Sequence, residues 1–435
     1  MEYLVGIDDT DSASGMCTTY LAYYITSSAK SFSVKAYPRL VRLNPNIPFK
    51  TRGNASVCLD IDTENPSKAF SEICNYVKKL SDVSHGANSG VVFAKKETRN
   101  KIFAKVYQHA LTGVVNHRRV KRILEENNVP HYTLGNGMGL VGASAAIGFD
   151  MKDYTFELIA YRMKENWGKP RIIDPKSVVE MDLATFPQTF NNFDYEKERV
   201  LIAPHGPDPV LFGIRADNPE ILLKAFNLIR TEEQPDGYLI YLSNQHTDAH
   251  LCKKIEEKSF SSGWVEGIVK SVKRIRGGHI MVELHGVGFP LAVYSPTGDL
   301  ARVASRLMKG DRIKAYGGMR KPSKNHKMTL NIEKIEVISV ERNIYTNPTC
   351  FKCGIRMKSE GSGKGFECRK CGSRRKCKVV TTIEREILPG IYLSSPRAHR
   401  HLTKPYARYN SYRITEPFYV EKWFCAESRN LLLSK

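Results

Sequence analysis

Three carboxylates stand within four residues at a point where the chain must turn. Asp8, Asp9 and Asp11 follow directly on the short apolar run 3–5. Mg²⁺ prefers oxygen ligands in octahedral geometry and usually shares its shell between one or two carboxylates, waters and substrate phosphates. An Asx turn and a helix N-cap explain one such acid, but they do not explain three that repel one another. The cluster therefore predicts a Mg²⁺-dependent nucleotide site.

The residues around the acidic cluster favour phosphate as a ligand. The segment 14–19 is predicted to open a helix that runs to Lys30, and a helix N-terminus offers free N–H groups and a positive dipole to an anion. Lys50 and Arg52 offer two cations in a turn-rich loop, for which an ordinary surface turn is an equal alternative. The Gly-rich run 135–143 has no Walker lysine, so ligand contact and tight helix packing both stay open. The candidate nucleotide-binding residues are Gly6, Thr10, Ser12, Lys50, Arg52, Gly135, Asn136 and Gly137.

Length and composition indicate several domains with an ordinary share of apolar residues. The 435 residues, 41% of them hydrophobic, suffice for roughly three to four domains. No run approaches the roughly 18 apolar residues of a membrane span, and the N-terminus lacks the features of a signal peptide. We therefore expect a cytoplasmic protein without membrane association. The sequence identifies no protein partner.

The excess of positive charge is confined to the C-terminal part of the chain. Residues 1–260 carry 32 Lys+Arg against 31 Asp+Glu, a net charge of +1, whereas residues 261–435 carry 34 against 14, a net charge of +20. A block that is basic and also rich in apolar and aromatic residues is typical of a folded nucleic-acid-binding platform. Acidic membranes or proteins are the alternative partners for such a surface. The charge split predicts that nucleic acid is bound mainly by the C-terminal part.

Four cysteines have the spacing of a structural zinc site. Cys350 and Cys353 form one C-x-x-C pair, and Cys368 and Cys371 form a second pair fourteen residues further on. Four thiolates bind Zn²⁺ tetrahedrally and leave no open coordination position, so the site serves folding rather than catalysis. Six basic residues lie close to the second pair, which suggests that the ribbon also contacts phosphate.

The pattern of strands and helices predicts a multidomain α+β protein. Residues 1–125 alternate strands and helices and are predicted to form an α/β domain, and a β-β-α-β order over 126–258 suggests a ferredoxin-like domain. Five strands over 262–342, with a helix between the third and fourth, fit an OB-fold β-barrel. A zinc ribbon over 346–380 and a basic, aromatic C-terminal extension over 381–435 complete the chain. The extension either tracks a nucleic-acid backbone or packs back over the earlier domains.

Several strings make the resemblance to one family specific. They are GIDDTDS at 6–12, GMCTT at 15–19, RLVRLNPNIP at 39–48, KTRGN at 50–54, GNG at 135–137 and HGPDPVL at 205–211. Over essentially its whole length the sequence resembles the archaeal tRNA-isoleucine 2-agmatinylcytidine synthetases. The resemblance implies an ATP-binding, cytidine-kinase-like N-terminal domain followed by an OB-fold and a C-terminal zinc ribbon.

The resemblance also implies an activity. Family members join agmatine to C2 of the wobble cytidine of the CAU-anticodon isoleucine tRNA, use ATP and yield AMP and phosphate, and so change decoding from AUG to AUA. The C2 oxygen is a poor leaving group, which is why it is phosphorylated before the amine displaces it. By this resemblance Asp8, Asp9 and Asp11 hold Mg²⁺, and Thr18 is the threonine that can become phosphorylated, either as a step of the reaction or as a side reaction.

The agmatine pocket is predicted from ligand chemistry. An amine and a guanidinium call for carboxylates and carbonyls, and Asp208 on the loop 205–209 is the candidate ligand. Two positions depart from the family pattern, because Met138 replaces an arginine and His246 replaces a glycine. No role is carried over to these two positions.

Two other functions remain possible on the sequence alone. A non-catalytic RNA- or single-stranded-DNA-binding protein also uses an OB-fold and a zinc ribbon, but it has no use for three clustered carboxylates. The second alternative keeps the tRNA substrate and activates C2 by adenylation instead of phosphorylation. Detecting a phosphorylated or an adenylated tRNA intermediate separates the two chemistries.

Overall fold

The N-terminal part of the molecule alternates strands and helices. The computed structural model describes residues 1–13, 15–50, 53–98, 101–324, 327–409 and 419–426. The elements up to residue 147 are β1 (Glu2–Asp8), α1 (Thr18–Ser28), β2 (Ser33–Val34), β3 (Arg39–Arg42), β4 (Ala55–Asp62), α2 (Pro66–Leu80), β5 (Gly90–Lys95), α3 (Lys101–Thr112), α4 (His117–Glu126), β6 (His131–Thr133) and α5 (Leu140–Ile147). Mixed α/β structure is thereby confirmed for this region.

The following elements extend the same sheet. They are β7 (Thr155–Arg162), α6 (Pro175–Thr185), β8 (Phe193–Asp194), β9 (Arg199–Val200), β10 (Val210–Ala216), α7 (Pro219–Leu228) and β11 (Pro235–Ser243). The strand order is β10-β7-β11-β3-β4-β1-β5-β6, and β11 runs parallel to β3 with Leu242 opposite Arg39. The two N-terminal regions predicted as separate domains therefore share one continuous sheet.

Both faces of this sheet are buried. Successive residues of a strand point to opposite faces, so Leu4 packs into one hydrophobic cluster and Val5 into another. Helices α3, α4 and α5 cover the Leu4 face, while α1 and α2 cover the Val5 face. This double cover explains why β1 is a continuous apolar run that ends abruptly at the acidic cluster.

A closed five-stranded barrel follows. Its elements are β12 (Ser262–Arg274), β13 (Ile280–Leu284), β14 (Leu291–Val293), α8 (Asp299–Arg306), β15 (Arg312–Arg320) and β16 (Thr329–Ser339). The parallel pairing of β14 with β16 closes the barrel, and Leu291 lies opposite Leu330 there. The predicted barrel is confirmed, and so is the helix between its third and fourth strands.

Short strands form the C-terminal region. They are β17 (Asn343–Thr346), β18 (Lys358–Ser359), β19 (Phe366–Glu367), β20 (Arg374–Arg375), β21 (Val379–Thr382), β22 (Gly390–Leu393) and β23 (Phe424–Ala426). β22 pairs with barrel strand β16, and β23 pairs with β11 of the large sheet. Within the described ranges, no helix has both the length and the apolar character needed to cross a membrane.

The segment 394–409 packs back over the earlier domains. Arg397 pairs with Asp194 at 2.9 Å, and Arg408, whose side chain is 0% exposed, pairs with Asp217 at 2.6 Å. Arg400 is likewise paired, with Glu333 at 2.9 Å. Of the two alternatives for the extension, packing over the earlier domains is correct for this segment. We refer to residues 394–409 as the strap.

Candidate functional site

Close packing between helix α5 and strand β1 fixes the floor of the site. A Cβ added at Gly6 would lie 1.9 Å from the carbonyl oxygen of Ala143, and one added at Gly142 would lie 1.7 Å from Oδ2 of Asp8. Such distances are far inside van der Waals contact, so only glycine permits the helix backbone to approach the strand this closely. Gly6 thus lies within β1 and packs against α5.

The acidic cluster begins where β1 ends. Asp9 has a φ of 54°, and its carbonyl oxygen accepts hydrogen bonds from the N–H of Asn88 at 3.0 Å and the hydroxyl of Ser89 at 3.2 Å. This turn brings the acidic side chains together. Burial raises the pKa of the Asp8 carboxyl well above its usual value, and the charges of Asp9 and Asp11 raise it further.

Asp11 and Thr18 are joined directly. The Asp11 carboxylate accepts hydrogen bonds from the backbone N–H of Thr18 at 2.7 Å and from its hydroxyl at 3.0 Å. The Thr10 hydroxyl lies 3.0 Å from that of Thr18, and Thr10, Ser12 and Thr18 are all buried. Asp11 therefore satisfies the first turn of α1, and it also contacts an oxygen that could act as a nucleophile.

The three carboxylates line the larger of two adjacent cavities, with a volume of about 580 Å³. Lys50 and Asn54 line it from one side, while Asn116, His117 and Arg118 line it at the N-terminus of the ten-residue helix α4. Asn116 caps this helix through its side-chain oxygen, which accepts from the Arg118 N–H at 2.9 Å. Acidic oxygens and a basic helix N-terminus in one cavity fit a metal together with phosphates.

The other predicted nucleotide-binding residues are placed less uniformly. The Lys50 ammonium donates to the carbonyl oxygen of Pro45. Gly135 and Gly137 have positive φ values of 61° and 74°, and they form the turn before α5. The Asn136 N–H donates to the Asn88 side chain at 3.0 Å. This turn lies beside the residues that line the cavity. Arg52 lies outside the residues that the structure describes.

A second cavity of about 280 Å³ adjoins the first. Asp11 and Ala55 line both cavities, and Asp208 lines only the second. Burial raises the pKa of the Cys17 thiol, which also lines the second cavity, to about 12, and the charges of Asp11 and then Asp208 add to this effect. The predicted agmatine ligand and the predicted metal ligand therefore belong to neighbouring chambers with a shared acidic wall.

Sequence reasoning missed a buried charge network in the second cavity. Glu157, in the middle of β7, accepts from the Arg215 guanidinium at 2.8 Å and lies 3.9 Å from Arg42. The Gln245 amide also donates to Glu157. His401 of the strap completes the lining, and nearby Arg42 holds its pKa well below the usual value. The sequence Asn-His-Arg at the start of α4 could have indicated a capped, basic helix N-terminus facing an anion. Glu157 gave no comparable signal, because it lies within an apolar strand.

The two departures from the family pattern occupy different environments. Met138 lines the larger cavity. His246 is buried away from both cavity linings, where its Nδ1 lies 2.8 Å from the carbonyl oxygen of Thr403 and its ring meets Phe190 edge-on. Its φ of 58° is the left-handed conformation that glycine adopts without strain. His246 therefore anchors the strap.

The four cysteines of the ribbon converge. The sulfur atoms of Cys350, Cys353, Cys368 and Cys371 all lie within 4.8 Å of one another. The sulfurs of Cys350 and Cys371 are 3.5 Å apart, close to the edge of roughly 3.8 Å that four Zn–S bonds of about 2.3 Å give in a tetrahedron. The Ser373 hydroxyl lies 3.2 Å from the Cys371 sulfur and lowers the pKa of that thiol. The predicted four-cysteine zinc site is confirmed as an arrangement of ligands.

A cavity lined by three carboxylates, an adjoining acidic cavity, a barrel and a four-cysteine ribbon are together typical of multidomain enzymes that act on nucleic acid. Residues 4–136 match the TiaS TCKD domain, residues 137–250 the TiaS FLD domain, and residues 347–387 the TiaS C-terminal zinc ribbon domain. These matches follow the chain in order and include the ribbon and all the lining residues of both cavities except His401.

Curated relatives and solved structures agree with these domain matches. The tRNA-isoleucine 2-agmatinylcytidine synthetase TiaS of Cenarchaeum symbiosum is 40% identical, with 93% of this chain and 92% of the relative covered. That of Staphylothermus marinus is 38% identical over 99% and 98%. A crystal structure of TiaS in complex with its isoleucine tRNA and ATP has a TM-score of 0.82 at 36% identity and covers 94% of this chain and 98% of that one. The chain belongs to the TiaS family.

Proposed function

We propose that this protein transfers agmatine to C2 of the wobble cytidine of the CAU-anticodon isoleucine tRNA at the expense of ATP. The product is 2-agmatinylcytidine, which changes decoding from AUG to AUA. Full-length similarity to tRNA-isoleucine 2-agmatinylcytidine synthetases supports this reaction, as does a solved relative described as a complex with its isoleucine tRNA, AMPCPP and agmatine. One observation carries the proposal: Asp11 belongs to both cavities, so a phosphoryl site and an amine site share a wall.

The larger cavity is the proposed ATP site of a cytidine-kinase-like domain over residues 1–125. Asp8, Asp9 and Asp11 are hard oxygen donors facing one cavity, which suits Mg²⁺. Held by these carboxylates, Mg²⁺ would neutralise phosphate charge and orient the phosphoryl group for transfer. Lys50 and the N-terminus of α4 also line this cavity and provide positive charge, because the N-terminus is the positive end of the helix dipole.

Thr18 is the proposed phosphoryl acceptor within the protein. Its hydroxyl already donates to Asp11 at 3.0 Å, so the carboxylate is placed to take that proton as the oxygen attacks a phosphorus of ATP and the bond from that phosphorus to the rest of the nucleotide, the leaving group, breaks. Thr10 holds the same oxygen from a second direction at 3.0 Å. Burial keeps competing water away from this oxygen.

The second cavity is the proposed agmatine site, at the edge of a ferredoxin-like domain over residues 126–258. Helices α6 and α7 pack against one face of β10-β7-β11, which supports that domain assignment. Asp208 is the proposed ligand for a cationic end of agmatine. The amine nitrogen attacks C2, the bond from C2 to the phosphorylated oxygen breaks, and phosphate leaves. Glu157 is engaged by two arginines and serves as a wall of the cavity.

The barrel and the ribbon are the proposed tRNA-binding modules. On the barrel, Lys314 lies 4.0 Å from the ring centre of Trp264, next to Tyr316. On the ribbon, Phe351 is 71% exposed and Arg375 lies 5.8 Å from its ring centre. Phe351 is exposed, whereas Trp264 and Tyr316 are half-buried. Aromatic rings with an accessible face can stack on bases while the neighbouring cations neutralise phosphate. Such contacts repay the few kcal/mol needed to turn the wobble base out of its stack.

An assay with defined components tests the proposed function. The isoleucine tRNA transcript is incubated with ATP, Mg²⁺ and agmatine, digested and analysed by mass spectrometry. We expect a modified wobble cytidine with the wild type and none with Asp9→Asn, which should keep its tRNA affinity. An unmodified cytidine with folded, zinc-loaded wild type would refute the proposal. An adenylated rather than phosphorylated tRNA intermediate would leave agmatine transfer intact and overturn the activation chemistry.

A further inference from the structure

The loop that carries Asp208 is folded around one arginine. Arg171, in the segment before α6, donates to the carbonyl oxygens of four loop residues. These are Pro204 at 3.1 Å, Gly206 at 2.8 Å, Asp208 at 2.7 Å and Val210 at 2.6 Å. The guanidinium also reaches Oδ1 of Asp208 at 3.2 Å. One side chain thus fixes the course of the whole loop and one oxygen of the candidate ligand.

Only arginine fits this position. A guanidinium carries five N–H donors in a rigid plane, whereas lysine has a single nitrogen at the end of a flexible stem. The Arg171 side chain is only 8% exposed, so a lost donor would leave buried carbonyl oxygens without a partner. Substitution by lysine therefore preserves the positive charge but removes the planar set of N–H donors that binds the four carbonyl oxygens.

The loop lies directly against the acidic cluster. A Cβ added at Gly15 would lie 2.9 Å from the carbonyl oxygen of Pro207, so the loop and the segment before α1 are in close contact. Asp208 and Asp11 line the same cavity. A shift of the loop would therefore change the separation between the proposed amine ligand and the carboxylate that holds Thr18.

We propose that Arg171 is a positioning residue for the amine-binding cavity, which sets the place of Asp208 relative to Asp11. The inference rests on the proposed agmatine transfer. Arg171 does not line the cavity and acts on the substrate only through the loop. Its loss is therefore expected to weaken the use of agmatine and to leave the use of ATP and tRNA unchanged.

The test compares Arg171→Lys with a matched buried arginine. Arg385, 6% exposed, donates to Asp311 and to the carbonyl oxygens of Glu341 and Arg306 in the barrel region. Arg385→Lys therefore reports the general effect of removing a buried guanidinium. For Arg171→Lys we expect the KM for agmatine to rise roughly tenfold or more, because a displacement near 1 Å can cost about 100-fold. We expect unchanged KM values for ATP and tRNA, and Arg385→Lys should leave the KM values for agmatine and ATP unchanged.

A double-mutant cycle with Asp208→Asn shows whether Arg171 acts through this carboxylate. If it does, the two substitutions together should raise the KM for agmatine little more than Asp208→Asn alone. Additive effects, an unchanged KM, or equal changes for all three substrates would overturn the inference while wild-type product still forms. Absence of product from the wild type would instead refute the proposed function, so the two failures are distinguishable.

Discussion

Replacing Gly142 by alanine should greatly reduce the rate of product formation while changing the stability of the fold only slightly. The added methyl carbon would lie 1.7 Å from Oδ2 and 2.5 Å from Cγ of Asp8. Real Cβ contacts are essentially never shorter than 3.0 Å, so the carboxylate must move by about 1.3 Å. A misplacement of about 1 Å can cost roughly 100-fold in rate. We therefore expect product formation to fall by about two orders of magnitude.

The expected effect on stability is much smaller. Alanine is favoured over glycine in a helix by up to about 1 kcal/mol, whereas overpacking costs about 1–3 kcal/mol. The two terms oppose each other, so Gly142→Ala should unfold within about 2 kcal/mol of the wild type. The tRNA affinity should not change, because the substitution lies in the floor of the nucleotide cavity.

Gly113→Ala is the control. Gly113 lines the same cavity, but its added Cβ would meet no described atom closer than the His109 carbonyl oxygen at 3.7 Å, an ordinary contact. Initial rates of agmatine incorporation, urea unfolding and filter binding of tRNA are measured for both variants. Gly142→Ala with a rate within threefold of wild type would refute the assignment of Asp8 to the reaction. An equal rate loss in Gly113→Ala would indicate simple crowding of the cavity.

Two further predictions concern the ribbon and the strap. Cys371→Ser should leave the purified chain without bound zinc, because three thiolates hold the ion far less tightly than four. Elemental analysis should find one zinc ion in the wild type. Zinc retained by the variant would contradict the four-cysteine site. Burial holds the pKa of His246 well below 6.5. When the pH falls below 6.5, the unfolded chain therefore binds a proton at this histidine, whereas the native chain does not. The free energy of unfolding should consequently drop by up to about 1.4 kcal/mol for each pH unit below 6.5. His246→Asn should flatten this dependence of the free energy of unfolding on pH, measured by chemical unfolding. An unchanged dependence would contradict this account.

The features that the sequence predicted correctly are those set by neighbouring residues. The zinc ligands form two C-x-x-C pairs, and each pair makes its own tight turn, so spacing alone identifies them. The acidic cluster is similarly local, because Asp8, Asp9 and Asp11 lie within four residues at a strand end and line one cavity, whereas their role as Mg²⁺ ligands stays a prediction. The barrel followed from strand spacing and one intervening helix.

The second cavity depends on pairings between distant parts of the chain. Glu157 lies in β7 among apolar residues, and nothing nearby in sequence indicates that it meets Arg215 from β10 and Arg42 from β3. Only the order of strands in the sheet brings these three together. A buried charge inside a strand is therefore invisible to periodicity, although it decides which carboxylates remain for a cationic substrate.

The basic residues of the strap are engaged by acidic side chains of the protein itself. The strap contributes to the net charge of +20, but Arg408 is fully buried between Asp217 at 2.6 Å and Asp153 at 2.9 Å, both from the N-terminal part. Removing one partner of such a buried pair costs about 3–5 kcal/mol. The strap thus joins the barrel to the large sheet through ion pairs, and these pairs already neutralise the charges of its arginines. Among the described residues, we therefore expect phosphate contacts mainly from the barrel and the ribbon, where Lys314 and Arg375 lie beside aromatic rings.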